Sequence, residues 1–228
     1  VQYGSSTSYS GSTPTKLGVD NPEDYIFTGW YPTPENIQGE TRCNALFRFT
    51  GYLEDDWTTI AENVANGTAT DLYPIGARKE IPITFSDGTS ITADVELIEY
   101  NHDDLADDSG KATLTFFCKD LPDLYRKMAD ENTSGWEGSD MRTFTNGELY
   151  NSLPAELQAA IKPVYKIADG GSNNKALVTT VDKCWLASYE EVGLPTNSNI
   201  VSGQGEVYSS TFSSSNASRI KYLSDGYT

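Results

Sequence analysis

Apolar and polar residues alternate with a period of two in several stretches of this chain. In residues 43–50, Cys43, Ala45, Phe47 and Phe49 fall on one face, while Asn44, Arg48 and Thr50 fall on the other. That pattern predicts a half-buried strand. Residues 79–85 and 90–100 predict two more strands, joined by Ser86-Asp87-Gly88-Thr89. An Asp-Gly turn between such runs is a strong hairpin signal. In the second arm Ile91, Ala93, Val95 and Leu97 alternate with Thr92, Asp94 and Glu96. The period changes to that of a helix over residues 55–66, where Trp57, Ile60, Ala61 and Val64 share one face. Asp55 or Asp56 can cap its start and Gly67 can end it.

The remaining elements follow from shorter signals. Tyr25-Ile-Phe-Thr-Gly-Trp-Tyr31, a turn around Pro32 and Pro34, and the strand after it make a small β module. Two strands alone cannot bury a sizeable core, so this module is expected to lean on a neighbour or partner chain. Residues 112–118 predict a strand, 123–130 a short helix, and Ser139 starts a helix carrying Met141 and Phe144 that Gly147 weakens. Pro154 sits in the first turn of a helix through Ile161, which ends before Pro163. Residues 164–168 and 184–187 predict strands, and 189–192 at most one helical turn. No internal repeat is present. The sum is an α+β fold with mostly antiparallel pairing. Its expected divisions are a flexible arm or linker (1–22), a small β module (23–52), a connecting helix (53–67), an α+β domain (68–192) and a Ser/Gly/Asn-rich extension (193–228).

The 228 residues allow one large domain or two small ones, and 37% hydrophobic content supports a core. The formal net charge of −17 repels nucleic acid and anionic lipid, so neither is an expected partner. No apolar run approaches the roughly 18 to 20 residues that span a bilayer, so membrane insertion is not expected. The chain opens on Val1 with no charged-then-apolar leader, as expected of a processed product or part of a longer chain. Of the three cysteines, Cys118 and Cys184 follow apolar or aromatic stretches and are expected as buried thiols.

Few side chains here suggest catalysis. There is one histidine, His102, and no Gly-x-Ser-x-Gly, phosphate-cradling glycine loop or His-x-x-x-His pair. His102 is expected to be a hydrogen-bonded structural residue. The acidic loop 101–110 carries Asp103, Asp104, Asp107 and Asp108, a set of oxygens that calcium could use, although the spacing is not that of an EF-hand. A solvated turn explains the same residues. Trp30, Tyr31, Trp136, Trp185 and the tyrosines near Tyr208 are candidate stacking surfaces for sugar rings; core packing is the competing reading for Trp57, Trp136 and Trp185. Arg142 is expected to clamp carbonyls and carboxylates, and Lys183 to anchor the start of a strand. Thirty-three acidic residues guarantee that some pair could be offered for glycoside hydrolysis, so that signal carries little.

A series of motifs in order resembles a known family. They are Gly67-Thr-Ala-Thr-Asp-Leu-Tyr-Pro-Ile-Gly76, Tyr100-Asn-His-Asp-Asp-Leu105, Gly110-Lys-Ala-Thr-Leu-Thr-Phe116, Gly135-Trp-Glu-Gly-Ser-Asp-Met-Arg142, Asn146, Leu153-Pro154, Ile161-Lys162 and Thr180-Val-Asp-Lys-Cys-Trp-Leu-Ala-Ser188. Over residues 68–192 they resemble the DUF6273 domain of bacterial, mainly Gram-positive, and bacteriophage proteins. The resemblance implies a place in phage structural and tail-associated proteins or in bacterial surface proteins. Its layout is reminiscent of C-type-lectin-like variable proteins, which implies ligand display. Members continue into a tryptophan-rich strand that has no counterpart before Thr228. Residues 27–34 with 39–47 are similar to small β repeats of bacterial surface adhesins, which act as spacers or stalks.

The expectation is therefore a non-enzymatic virion or cell-surface protein with no catalytic residues. Its partners would be other copies of itself or other virion or surface proteins. A carbohydrate-binding module contacting a host surface glycan is the alternative, and a glycosidase a more distant one.

Overall fold

The computed structural model describes residues 4–19, 22–118, 126–131, 133–172, 176–194 and 201–212. The chain is α+β, with three small antiparallel sheets and short helices among the described residues, and divides into two compact units, Val1–Tyr52 and Leu53–Thr228.

The first unit is a two-stranded sheet. Strand β1 (Tyr25–Tyr31) pairs with β2 (Asn44–Phe49), opposing Tyr25 to Phe49, Phe27 to Phe47 and Trp30 to Ala45. A bulge between Phe27 and Gly29 shifts the alternation by one residue, which puts Trp30 on the same face as Phe27. That face is aromatic: Phe27 meets Phe47 at 6.1 Å and Trp30 at 5.2 Å, and Tyr9 covers Trp30 at 5.1 Å. The described part of the N-terminal arm is tied to this module. The Gly4 N–H donates to the Ile37 carbonyl (2.7 Å), and the Thr7 N–H to that of Pro34 (2.9 Å).

In the second unit, α1 (Trp57–Ala65) starts where Asp56 accepts the Thr59 N–H at 2.8 Å. This is an ordinary N-cap, satisfying a donor that the first helical turn leaves open. A short helix, α2 (Ala69–Leu72), follows and was not expected from the sequence. Strands β3 (Arg78–Thr84), β4 (Ser90–Tyr100) and β5 (Leu114–Cys118) form a sheet in that order. The predicted hairpin is present, with Asp87 accepting the Thr89 N–H and Gly88 at φ 88°. Pro82 is tolerated because β3 is an edge strand. A bulge between Leu97 and Glu99 interrupts the register of β4 with β5, and Leu97 and Ile98 there are both buried. Trp57 packs edge-on to Phe116 at 5.3 Å.

Helix α3 (Asp140–Phe144) is capped by Ser139 and runs into a π-helical turn, Thr145–Leu149, that contains Gly147. Helix α4 (Ala155–Ala160) follows Pro154, which occupies the cap position. Strands β6 (Val164–Asp169) and β7 (Leu177–Asp182) form the third sheet.

Three sequence expectations differ from this structure. The strand expected at 184–187 lies instead at Leu177–Asp182. The Asn146 side chain accepts the Lys183 and Cys184 N–H groups and donates to the Cys184 carbonyl, so this backbone is satisfied without a sheet partner. The helix expected at 123–130 lies partly outside the described residues, and its described part, 126–130, is not helical. Finally, the extension after residue 193 is not all peripheral. Helix α5 (Ser209–Phe212) buries Phe212, and Tyr208 before it, against Ile98, Phe117 and Val192. Glu99 accepts the Ser210 N–H (2.8 Å) and Thr211 Oγ1 donates to the Ile98 carbonyl (3.0 Å), fixing α5 to β4.

Because Phe212 is fully packed, Phe212→Ala should destabilise the chain by about 3 to 5 kcal/mol. Urea unfolding measures this, and a shift near zero would show that the segment is not part of the core.

Candidate functional site

Two buried polar clusters stand out in the larger unit. The first centres on Lys166. In β6 the burial pattern alternates, and Lys166 lies on the same inward face as Val164. Its side chain is 8% exposed, and its amine donates to Asp103 Oδ1 (2.8 Å), to Tyr208 Oη (3.0 Å) and to Glu191 Oε1. The Trp185 ring lies 4.6 Å from the amine. A buried ammonium is tolerable only with such partners.

Each partner is itself held. Asp103 accepts from Thr115 Oγ1 at Oδ2 (2.6 Å) and from Tyr208 Oη at Oδ1 (2.9 Å). Burial alone would raise the Asp103 pKa, but the neighbouring Lys166 and these donors outweigh it and hold the carboxyl below its usual range. Glu191 belongs to a reciprocal capping box. Ser188 Oγ accepts the Glu191 N–H (3.1 Å), and Glu191 Oε2 accepts the Ser188 N–H (2.8 Å). Burial, with Glu191 and Asp103 nearby, pushes the Tyr208 hydroxyl pKa far up, so Tyr208 stays a proton donor. His102 lies against Tyr208 with ring centroids 4.3 Å apart. Neither of its ring nitrogens has a hydrogen-bond partner among the described residues, so the expected hydrogen-bonded histidine is instead an aromatic packing residue.

The second cluster centres on Asp182 at the end of β7. Its Oδ1 accepts from Arg142 Nε (2.7 Å) and Asn146 Nδ2 (3.0 Å). Its Oδ2 accepts from Trp136 Nε1 (2.9 Å) and Thr180 Oγ1 (2.5 Å). Arg142 is thus the clamp expected from the sequence, reaching the Val181 carbonyl as well (3.1 Å). Lys183 lies over the Tyr150 ring at 4.0 Å and does not anchor a strand.

The remaining sequence candidates are dispersed. The four aspartates do not converge. Asp103 turns inward to Lys166; Asp104 pairs with Lys111 at the surface (3.1 Å). Asp107 accepts from the Ser109 hydroxyl and N–H, which holds its carboxyl below the usual range. Asp108 has a left-handed backbone at φ 59°. Among the described residues no group of three His, Cys, Asp or Glu side chains is arranged to hold a metal ion. Trp136 is buried with its N–H spent on Asp182, so it presents no surface for a sugar ring. Trp30 is half-buried beneath Tyr9, whereas Tyr31 is 69% exposed. Burial pushes the Cys184 thiol up to about 12, so it is not a thiolate at neutral pH.

Lys166 and Glu191 were missed in the sequence, and Tyr208, expected among the exposed stacking aromatics, is buried in the cluster instead. Two signals were available: a lysine at an inward position of an alternating strand, and the Ser-x-x-Glu spacing of 188–191.

Fold and clusters together define an α+β protein whose buried charges and hydroxyls bond one another. The profile of a domain of unknown function (DUF6273) matches residues 111–227, about half of the chain, and the chain belongs to that family. The match starts later and runs further than the motifs at 68–192 suggested. It includes Lys166, Asp182, Glu191 and Tyr208, while His102 and Asp103 precede it. No curated protein and no solved structure matches the chain.

Removing the Asp182 carboxylate would strand Arg142, Trp136 and Asn146 donors at once. Asp182→Ala should cost about 3 to 5 kcal/mol in urea unfolding, as for other buried pairs that lose one member. A loss below about 1 kcal/mol, the scale of an exposed pair, would show that the cluster does not hold the fold.

Proposed function

We propose that this chain is a non-enzymatic structural component that acts by assembly and surface contact, in a bacteriophage virion (tail, baseplate or head decoration) or on a bacterial surface. The observation that carries this reading is the outer face of the β1–β2 sheet. Ile26 and Leu46 are 49% and 45% exposed there, beside Tyr31 at 69%. Exposed large apolar residues gathered on one face mark interaction sites more often than chance. In the larger unit, the Lys166, Asp103, Glu191 and Tyr208 side chains are buried and bonded to each other. The family context implied by the motifs points the same way.

The test is the assembly state of the full chain by analytical ultracentrifugation, compared with an Ile26→Asp/Leu46→Asp variant. Self-association, or co-sedimentation with a virion or cell-wall fraction, should be present in the natural chain and lost in the variant, with circular dichroism unchanged. A natural chain that stays a monomer and binds no such fraction would overturn the proposal.

The exposure of Tyr31 also favours a carbohydrate-binding reading, since a tyrosine ring can stack on a sugar face. Binding on an array of cell-surface glycans should then fall at least tenfold in Tyr31→Ala. Equal binding by both proteins, or by neither, removes this alternative.

A further inference from the structure

The Lys166 cluster is arranged for covalent chemistry between two of its own side chains. The amine and a carboxylate are in contact, at 2.8 Å, and both are almost out of water: 8% exposed for Lys166 and 2% for Asp103. A second carboxylate, Glu191, 3% exposed, contacts the same amine. The Asp103 oxygens each carry a hydroxyl donor, Tyr208 on Oδ1 and Thr115 on Oδ2. The Trp185 and Tyr208 rings flank the amine at 4.6 and 5.5 Å.

We propose that Lys166 and Asp103 join spontaneously in an intramolecular amide bond, with Glu191 as the proton carrier. Lys166 and the hydroxyl donors favour the ionised carboxyl, so the reacting form is the minor neutral one, amine and carboxylic acid, formed when one Lys166 proton passes to Asp103. The Lys166 nitrogen then attacks Asp103 Cγ, forming the N–C bond. Negative charge develops on a carboxyl oxygen that already receives a hydroxyl hydrogen bond, the arrangement that stabilises an oxyanion. Glu191 takes a proton from the attacking nitrogen and delivers it to the departing hydroxyl. The Cγ–O bond breaks and water leaves. The products are one secondary amide, one water and Glu191 again as carboxylate, so no oxidant, activating group or external enzyme is needed. Glu191 can accept from the new amide N–H while its other oxygen keeps the Ser188 N–H. Contact between fixed groups supplies the rate: well-oriented intramolecular partners reach effective concentrations of about 10⁵ M or more.

The bond would link residues 63 positions apart, tying the loop after β4 to β6. The same burial that permits the reaction shields the product from hydrolysis. This inference does not depend on the assembly reading, since it concerns the chain in isolation.

The experiment is intact mass spectrometry of the full chain, denatured after incubation at neutral pH. The natural chain should weigh one water less than its sequence, and proteolysis should release a branched peptide joining the Asp103 and Lys166 segments. Lys166→Arg and Glu191→Gln should each have the full mass of their sequences. Asp103→Asn keeps an electrophilic carbon but changes the leaving group, so it should lose one ammonia instead of one water. That variant distinguishes the reaction from an unrelated dehydration such as succinimide formation elsewhere. A natural chain that is folded by circular dichroism and carries its full sequence mass would overturn the proposal. So would a missing water that persists in Lys166→Arg.

Discussion

The larger unit is organised around one buried amine. Moving an ammonium out of water is costly unless it is paired and hydrogen-bonded, and the Lys166 partners are distributed along the chain. Asp103 comes from the loop after β4, Glu191 from the capped turn at 188–191, and Tyr208 from just before α5. None of these segments is long or apolar enough to fix itself. The amine is buried where all of them meet, and the C-terminal segment is held there as well by the packing of Phe212 and by bonds to Glu99 and Ile98. One charge thereby connects β6, the acidic loop and the C-terminal segment.

Small sheets explain why such a device is needed. The unit contains a three-stranded and a two-stranded sheet and no long helix among the described residues. Sheets this small gain limited stability from their own pairing and must be joined by something else. Part of the join is apolar, as in the contact of Phe212 with Phe117 at 5.6 Å. The rest is polar. Asp182 gathers the Trp136 indole, the Arg142 guanidinium and the Asn146 amide, linking β7 to the α3 helix and its π-helical turn. Buried ionic groups of this kind add little net stability over an apolar replacement, but losing one partner is severe. They specify which surfaces meet.

The sequence was legible where local pattern and tertiary environment agree. Helix α1 and the β3–β4 hairpin carry their own period, cap and turn residues, so each reads without its neighbours. The C-terminal segment was not legible because Ser, Gly and Asn dominate its composition, while two aromatic residues, Tyr208 and Phe212, decide its position. Residues 184–187 look like a strand by hydrophobicity, but a side chain 38 positions away takes both backbone groups of Cys184, which no local window contains. The acidic loop was half legible. Its aspartates were visible, but the cation that draws Asp103 inward is a lysine of the chain itself. A metal ion, water or a lysine elsewhere in the chain can each face the same charge pattern. The difference is whether the counter-charge is supplied by another strand.

Clustered carboxylates, a buried lysine and a raised tyrosine hydroxyl usually point to an active site. What separates a catalytic centre from a structural one is access: a substrate must reach the groups, and their hydrogen-bonding capacity must be partly unspent. Here Asp182 accepts four donors and Asp103 accepts three, all from the chain itself. The perturbation of these groups reflects their burial against one another. Among the described residues, Lys166, Asp103 and Glu191 are reactive groups held in contact with one another. Exposed apolar residues lie elsewhere: Ile26 and Leu46 on the outer face of the β1–β2 sheet, and Ile167, Leu177 and Val181 on β6 and β7.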